Sequence, residues 1–302
     1  MKIFGGSSNK KLAEKIAQQL SIPLSPLEIH VFPDGEKRVR VLEKVVDQHV
    51  AVVQSTGGDG LTDEYYMELF FIIDALKRSG ASEVTVVMPY MGYQRQDHVF
   101  REGEVVSSAA IIEMLEAVGA NVFITFDLHS IRIPELFHIP VKHLSALPLF
   151  VHKIREYGFD KESVLVSPDM GGNRRIKQMS EMLGNMPHAS IVKDRDLASG
   201  IVSAQTIEGA LQKKAIIVDD MISSGKTIEA AVSLLKKQGV LQILVLAVHP
   251  VFSDEAPILL QNLPIEKVVV SDTIELPKEK QFQKLEVLSV AEIIAKHLAS
   301  SI

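Results

Sequence analysis

Cysteine is absent from all 302 residues. That excludes a disulfide framework, a thiolate metal site and a cysteine nucleophile. No apolar run approaches the roughly 18 residues that a membrane-spanning helix needs, so an integral membrane protein is not expected. There is no excess of basic residues either. Thirty-two Lys and Arg face thirty-eight Asp and Glu, a formal charge of −6, and the sequence pI is near 5.9. A broad nucleic-acid footprint would need the opposite balance, so nucleic acid is not an expected partner. The opening MKIFGGSSNKK has no apolar h-region, so no secretion signal is expected and a cytoplasmic setting is. No short repeat of fixed period appears, and no Pro/Gly/Ser-rich linker divides the chain.

What is present is the composition of a core-forming protein. Hydrophobic residues make up 46% and charged residues 23%, which excludes disorder as the main state. At roughly 150 residues per domain, the length suggests two domains. Short β-branched runs at 50–54, 84–88, 122–126, 164–167, 215–219, 243–248 and 267–271 read as strands. They are nearly continuous apolar runs, as expected when both faces of a parallel sheet are covered. Helical patterns lie between them, among them Asp63 to Ser79, Ser107 to Val118, Ile176 to Leu183, Thr227 to Gln238 and Val290 to Ala299. Gly80, Gly119 and Gly239 close three of these, which suits a helix C-terminus. The alternation predicts an α/β fold with crossover helices.

One long-range echo divides the chain. Pro89-Tyr-Met-Gly-Tyr-Gln-Arg95 and Pro168-Asp-Met-Gly-Gly-Asn-Arg174 share the pattern P-x-M-G-x-x-R, each directly after an apolar strand. This predicts two similar domains, 1–143 and 144–288. The boundary is expected near Lys142 to Leu147, and the halves are expected to pack closely.

Ligands of open parallel sheets bind beyond the carboxyl ends of the strands, so the polar residues there are the candidates. The segment Ala215-Ile-Ile-Val-Asp-Asp-Met-Ile-Ser-Ser-Gly-Lys-Thr227 runs from a buried strand through two acids and a small-residue turn into a helix. Backbone N–H groups of Ser223, Ser224, Gly225, Lys226 and Thr227 would converge at a helix N-terminus, where a phosphate is well held. Asp219 and Asp220 could hold ribose hydroxyls or a Mg2+ ion. A P-loop is rejected, because the position five residues before Gly225 is Asp220 and not glycine. The plain alternative is an ordinary strand–turn–helix with acids as caps.

Other strand ends are weaker alone. Asp127 and His129 could bind Mg2+ with phosphate or carry a proton, though a strand-end histidine is often just hydrogen-bonded. Zinc has no His/His or Cys/His spacing to support it. Arg95, Gln96 and Asp97 offer a guanidinium fork for triphosphate oxygens, or a surface ion pair. Asp169 beside Gly171-Gly172 suits close backbone approach to a ligand, or a plain turn. Lys193 and Arg195 lie in a polar stretch that is either solvated surface or a pair of cations closing over a phosphoryl group. Phe32-Pro-Asp34-Gly-Glu36 reads as a turn with an exposed aromatic, and so as a possible nucleobase platform.

Taken together and in this order, these segments resemble ribose-phosphate pyrophosphokinase over essentially the whole chain. The resemblance rests on Phe32–Glu36, the Tyr-x-Arg-Gln-Asp segment ending at Asp97, Asp127-Leu-His129, Ser167-Pro-Asp-x-Gly-Gly172, Lys193-x-Arg195 and Val218–Thr227. It implies two tandem phosphoribosyltransferase-like domains, each a mainly parallel sheet flanked by helices, with a C-terminal helix 289–302 folded back on the first. It implies transfer of a diphosphoryl group from ATP to D-ribose 5-phosphate with Mg2+. By position, Phe32 would stack on adenine, with Asp34 and Glu36 at its edge. Arg95, Gln96 and Asp97 would hold ATP. His129 would be catalytic and, with Asp169, would meet Mg2+ or its water. Asp169, Asp219 and Asp220 would meet the ribose, and Ser223, Ser224, Gly225, Lys226 and Thr227 its 5-phosphate. Lys193 and Arg195 would be catalytic cations on a mobile loop. The hairpin around Phe32 would reach a neighbouring subunit, so a homo-oligomer built from dimers is expected.

The sequence departs from the family's usual pattern at named places. Lys226 stands where glycine is usual, Gln94 where alanine is usual, and His98 where a basic residue is usual. Arg101-Glu-Gly-Glu-Val-Val-Ser107 resembles the archaeal-type branch more than the classical one, which leaves hexamer formation and allosteric control open. Two rival readings are a phosphoribosyltransferase and a non-catalytic homologue of the synthetase. Tandem halves and the Phe32 and Arg95–Gln96 elements weigh against the first. Intact Lys193, Arg195, His129, Asp219 and Asp220 weigh against the second.

Overall fold

The apolar runs of the sequence become the centres of two parallel sheets. The structure, a computed structural model, describes residues 1–195 and 202–300, and only the backbone of 193–195 and 202–205. The chain divides into two units, Met1–Ser145 with Asp272–Glu275 and Ser289–Ile302, and Ala146–Ser271 with Leu276–Leu288.

The first unit opens with β1 (Lys2–Gly5), α1 (Lys10–Gln19) and β2 (Leu24–Ser25). A hairpin of β3 (Leu27–Val31) and β4 (Lys37–Val41) follows. Then come β5 (His49–Val53), α2 (Thr62–Arg78), β6 (Glu83–Val87), α3 (Ser107–Ala117), β7 (Val122–Phe126) and β8 (Val141–Leu144). The sheet order is β2-β1-β5-β6-β7-β8, and every pairing in it is parallel. Helix α2 shows why these segments settle as they do. Tyr66, Leu69, Phe70, Ile72, Ile73 and Leu76 are buried at helical spacing. They meet Val50, Val52, Val84 and Val86 in one core. Asp63 and Glu64 in the first turn and Lys77 and Arg78 in the last complement the helix dipole.

The second unit contains α4 (Leu147–Glu156), β9 (Ser163–Ser167), α5 (Asn173–Met182), β10 (His188–Arg195) and β11 (Val202–Glu208). It continues with β12 (Lys214–Ile222), α6 (Lys226–Lys237), β13 (Gln242–Pro250), α7 (Ala256–Asn262), β14 (Lys267–Ser271) and β15 (Leu285–Leu288). Its sheet order is β11-β10-β9-β12-β13-β14-β15. Only the β10–β11 pairing is antiparallel. The strand runs read from sequence, such as Val164, Val166, Ile217 and Val245, form the second core.

The last helix, α8 (Ala291–Ala299), belongs to the first unit and packs on α1. Asp272 joins the crossing segments of that unit. Its Oδ1 accepts from the Val290 N–H at 2.8 Å and its Oδ2 pairs with Lys15 at 2.7 Å. No helix among the described residues is long and apolar enough to cross a membrane.

Both sheets grow outward in two directions from an inner pair of strands. In the first unit that pair is β1 and β5, and in the second it is β9 and β12. The carboxyl ends of such a pair form the crevice where doubly wound sheets bind ligands.

Candidate active site

In the second unit the crevice is lined by acids. Strand β12 pairs with β9 only as far as Ile217, opposite Val166, but stays paired with β13 to Ile222, opposite Pro250. Asp219 and Asp220 therefore project past the end of β9. The sequence reading ended this strand at its acids, whereas pairing with β13 carries the strand on to Ile222. Asp220 is buried and its N–H donates to Asp219 Oδ1 at 2.9 Å. Arg175 Nη1 lies 3.8 Å from Asp219 Oδ1 and Nη2 lies 4.0 Å from Asp220 Oδ2. Burial pushes the Asp219 carboxyl well above the usual carboxylate range. The charge of Asp220 and its hydrogen bond push the same way, Arg175 opposes them, and Asp169 adds to the rise. The pair is held in a state that favours a proton or a bound cation.

Across from them, Asp169 begins a short 3-10 turn. Its Oδ1 accepts from the N–H groups of Gly171 at 2.9 Å and Gly172 at 3.3 Å. A Cβ on Gly172 would lie 2.3 Å from Ser167 Oγ, so the close turn needs glycine there. Beyond β12, Ser223 and Ser224 lead to Gly225, the N-cap of α6, with φ +78°. Ser223 Oγ shares a 2.9 Å hydrogen bond with Ser253 Oγ. Lys226 and Thr227, the first two residues of α6, are exposed. A sugar-phosphate fits this chemistry, with carboxylates for hydroxyls and free helix N–H groups for the phosphate.

In the first unit two groups of candidates form. Phe32, Asp34 and Glu36 sit at the tip of the β3–β4 hairpin. There the Phe32 N–H donates to Glu36 O at 2.8 Å and the Gly35 N–H to Phe32 O at 2.9 Å. Phe32 is 37% exposed. Its ring meets His30 edge-on at 4.8 Å, and Arg38 Cζ lies 5.9 Å from its centroid.

The second group joins the segment after β6 to the turn after β7. Arg95 and His129 are exposed, and Gln96 and Asp97 are half-buried. Gln96 O accepts from Ser108 N at 3.2 Å and from Ser108 Oγ at 3.1 Å. Asp97 Oδ1 lies 2.6 Å from His98 Nδ1. Burial pushes Asp97 up, but hydrogen bonds from Ser130 and His98 outweigh it and hold the carboxyl below its usual range. Gln94 ties the two segments, its Oε1 accepting from the His129 N–H at 2.9 Å.

Lys193 and Arg195 were expected in a polar loop. Both belong to β10, whose Lys193 pairs with Gln205 and Arg195 with Val202. Their side chains lie outside the described residues. Asp196 and the following residues to 201 lie outside them as well.

Among the described residues no three His, Asp or Glu side chains gather into a metal-binding group. A hard cation at Asp169, Asp219 or Asp220 would take one or two carboxylates and complete its shell with phosphate oxygens and water. That is the usual mode of Mg2+ at phosphate sites.

The sequence reading assigned no role to Arg175. Two adjacent buried acids demand a cation, and that demand was the available signal.

Residues 1–119 match the family described as the N-terminal domain of ribose phosphate pyrophosphokinase, and residues 166–300 match the phosphoribosyl synthetase-associated domain. Ribose-phosphate pyrophosphokinase 1 of Streptococcus agalactiae is 39% identical over 299 residues, 98% of this chain and 92% of that protein. Putative ribose-phosphate pyrophosphokinase 2 of Listeria innocua is 37% identical over 298 residues, 98% of this chain and 94% of that protein. The crystal structure of phosphoribosylpyrophosphate synthetase from Mycobacterium smegmatis superposes with a TM-score of 0.93 at 32% identity, covering 99% of this chain and 98% of that one. The fold is thus that of two phosphoribosyltransferase-like domains.

Proposed function

From its membership of the ribose-phosphate pyrophosphokinase family, we propose that the chain transfers the β,γ-diphosphoryl group of ATP to the 1-hydroxyl of D-ribose 5-phosphate. The products are 5-phospho-α-D-ribose 1-diphosphate and AMP. The new bond joins the ribose O1 to the β-phosphorus. The bond from that phosphorus to the bridging oxygen breaks, AMP leaves with the oxygen, and the O1 proton is released.

One observation carries the reading at the level of residues. The acid pair Asp219–Asp220 lies at the crevice of its sheet, three residues before the small-residue turn that starts α6 at Lys226. Asp219, Asp220 and Asp169 take the ribose. Ser223, Ser224, Gly225, Lys226 and Thr227 surround its 5-phosphate, where helix N–H groups favour an anion. Phe32 stacks on adenine, with Asp34 and Glu36 at the base edge, and Arg95, Gln96 and Asp97 hold the phosphate side of ATP. Lys193 and Arg195 neutralise charge as the diphosphoryl group moves, since positioning and electrostatics dominate phosphoryl transfer. His129 meets the ATP phosphates or the water of their Mg2+.

Mg2+ suits the oxygen donors present, with His129 and Asp169 as the residues to hold it or its water. When bound it would supply Lewis-acid polarisation and charge neutralisation at the transferring phosphates. We also propose a cytoplasmic location and a homo-oligomer built from dimers. The exposed Met67, Phe71 and Met114 on α2 and α3 are the kind of apolar surface a second copy would cover.

The decisive assay is AMP formation by the purified chain. AMP and the diphosphorylated sugar should appear in equal amounts and only when ATP, Mg2+ and ribose 5-phosphate are all present. Consumption of the diphosphorylated sugar with a free base would mark a phosphoribosyltransferase. No turnover with either set would mark a non-catalytic homologue.

A further inference from the structure

The crevice of the first sheet, at the carboxyl ends of β1 and β5, is filled by its own side chains. Glu68 of α2 is 1% exposed and Gln54 after β5 is fully buried. Glu68 Oε1 accepts from Ser7 N at 2.7 Å and from Gln54 Nε2 at 2.9 Å. Glu68 Oε2 accepts from Ser7 Oγ at 2.8 Å and from Lys37 Nζ at 3.4 Å. Gln54 Oε1 accepts in turn from Ser8 N at 3.1 Å and Ser8 Oγ at 2.8 Å. A Cβ on Gly6 would lie 2.2 Å from that oxygen, so chain and amide meet as closely as they can. This is a fully connected polar hub, the kind of buried network that fixes one geometry.

Its reach extends to the hairpin. The β3–β4 register pairs Leu27 with Val41, Ile29 with Val39 and Val31 with Lys37. Side chains alternate along a strand, so Lys37, Val39 and Val41 share one face. Leu27, Ile29, Val39 and Val41 pack on the core of the unit. At the last position of this inward face an apolar residue would be the simple choice. The chain has lysine there, with a side chain only 11% exposed. Its Nζ lies 3.4 Å from Glu68 Oε2, 3.6 Å from Glu64 Oε2 and 3.3 Å from Glu64 O. Among the described residues the hairpin pairs with no other strand, and an isolated two-stranded hairpin is marginal alone. Beyond its apolar base, Lys37 is the tie nearest the turn that carries Phe32.

We propose that Glu68, acting through Lys37, fixes the distal half of the hairpin and thereby the position of Phe32. Both are positioning residues for the nucleotide base. The inference rests on the reading of Phe32 as the adenine platform given above. Loss of Lys37 leaves three donors on Glu68 but, among the described residues, no cation paired with it, and the turn then swings on its apolar base. The consequence falls on ATP and not on ribose 5-phosphate.

The chain contains no tryptophan, so Phe32→Trp supplies a single indole, at the turn, that can be excited apart from the tyrosines. The test uses the full chain with Phe32→Trp, alone and combined with Lys37→Met or Lys37→Arg. In the parent, ATP should change the emission of the indole. Lys37→Met should lower its steady-state anisotropy. In the otherwise native chain it should raise KM for ATP roughly five- to tenfold, as expected when a preorganised contact loses its fixed geometry. KM for ribose 5-phosphate should stay within about twofold, because the sugar is held by other residues. Lys37→Arg should restore both readings. If Lys37→Met does not fold, Lys37→Gln carries the same test, since an amide still donates but brings no charge. Unchanged anisotropy and unchanged KM for ATP would overturn the proposal, and so would equal rises in both KM values. An indole blind to ATP in the parent would instead overturn the reading of Phe32 itself.

Discussion

The His129 N–H donates to Gln94 Oε1 at 2.9 Å, while the Nε2 of the same buried amide has no hydrogen-bond partner among the described residues. One side chain thus holds the backbone of a candidate catalytic residue and carries an unsatisfied donor to do so. A buried donor left unpaired costs about 1–3 kcal/mol. Strain of this size is kept where geometry matters for function.

Gln94→Met is the informative change, because it conserves volume. It removes the orphan Nε2, a gain, and leaves the His129 N–H without its acceptor, a loss of similar size. The two nearly cancel, so stability in urea should change by less than about 1 kcal/mol. The position of His129 changes all the same, and kcat should fall severalfold. A stability loss above about 2 kcal/mol would show that Nε2 is satisfied after all, by an ordered water for instance.

Legibility from sequence followed a physical line. Strands buried on both faces, such as Glu83–Val87 and Lys267–Ser271, announce themselves as apolar runs. Helix α2 does so through its stripe. Strand β1 did not, because it has only four residues and ends on the first of a glycine pair. The β10–β11 pair did not, because an edge ladder needs no apolar run, and Lys193 and Arg195 read as loop. At the site, Asp219 and Asp220 were visible as acids closing a buried strand. Arg175 was not, since its partners lie more than forty residues away. Glu68 hid inside an apolar helix. The one local sign was an acid on the stripe that buries Leu69 and Ile72.

The carboxyl of Asp219 gives a pH prediction. Its folded value is raised by burial first and by Asp220 second, whereas an unfolded aspartate titrates near 3.9. A raised carboxyl favours the fold most below the unfolded value. That contribution is lost as pH climbs toward the folded value and stays lost above it. Asp219→Asn removes the penalty. The variant should be more stable than the parent at pH 8, by about 0.5–2 kcal/mol, the usual gain from relieving a functional site. The difference should shrink toward zero near pH 4. Denaturant titrations at both pH values test the sign, and an advantage that grows on acidification contradicts it. KM for ribose 5-phosphate should rise in the same variant.

Helix α6 offers a matched pair of glycines. Gly225 caps its start with φ +78° and Gly239 follows its end with φ +85°. A Cβ at Gly239 meets nothing within 4 Å, and one at Gly225 meets Leu259 Cδ2 at 3.2 Å, the movable end of a side chain. Alanine in this left-handed region costs about 1–2 kcal/mol at either position. Stability should therefore fall by similar amounts in Gly225→Ala and Gly239→Ala. Function should separate them. The backbone at Gly225 aims N–H groups at the proposed 5-phosphate, and a few tenths of an ångström there weaken every hydrogen bond to it. Gly225→Ala should raise KM for ribose 5-phosphate by roughly tenfold or more, whereas Gly239→Ala should leave it within about twofold. Equal KM values in the two variants would mean that the turn before α6 does not hold the sugar phosphate, whatever their stabilities.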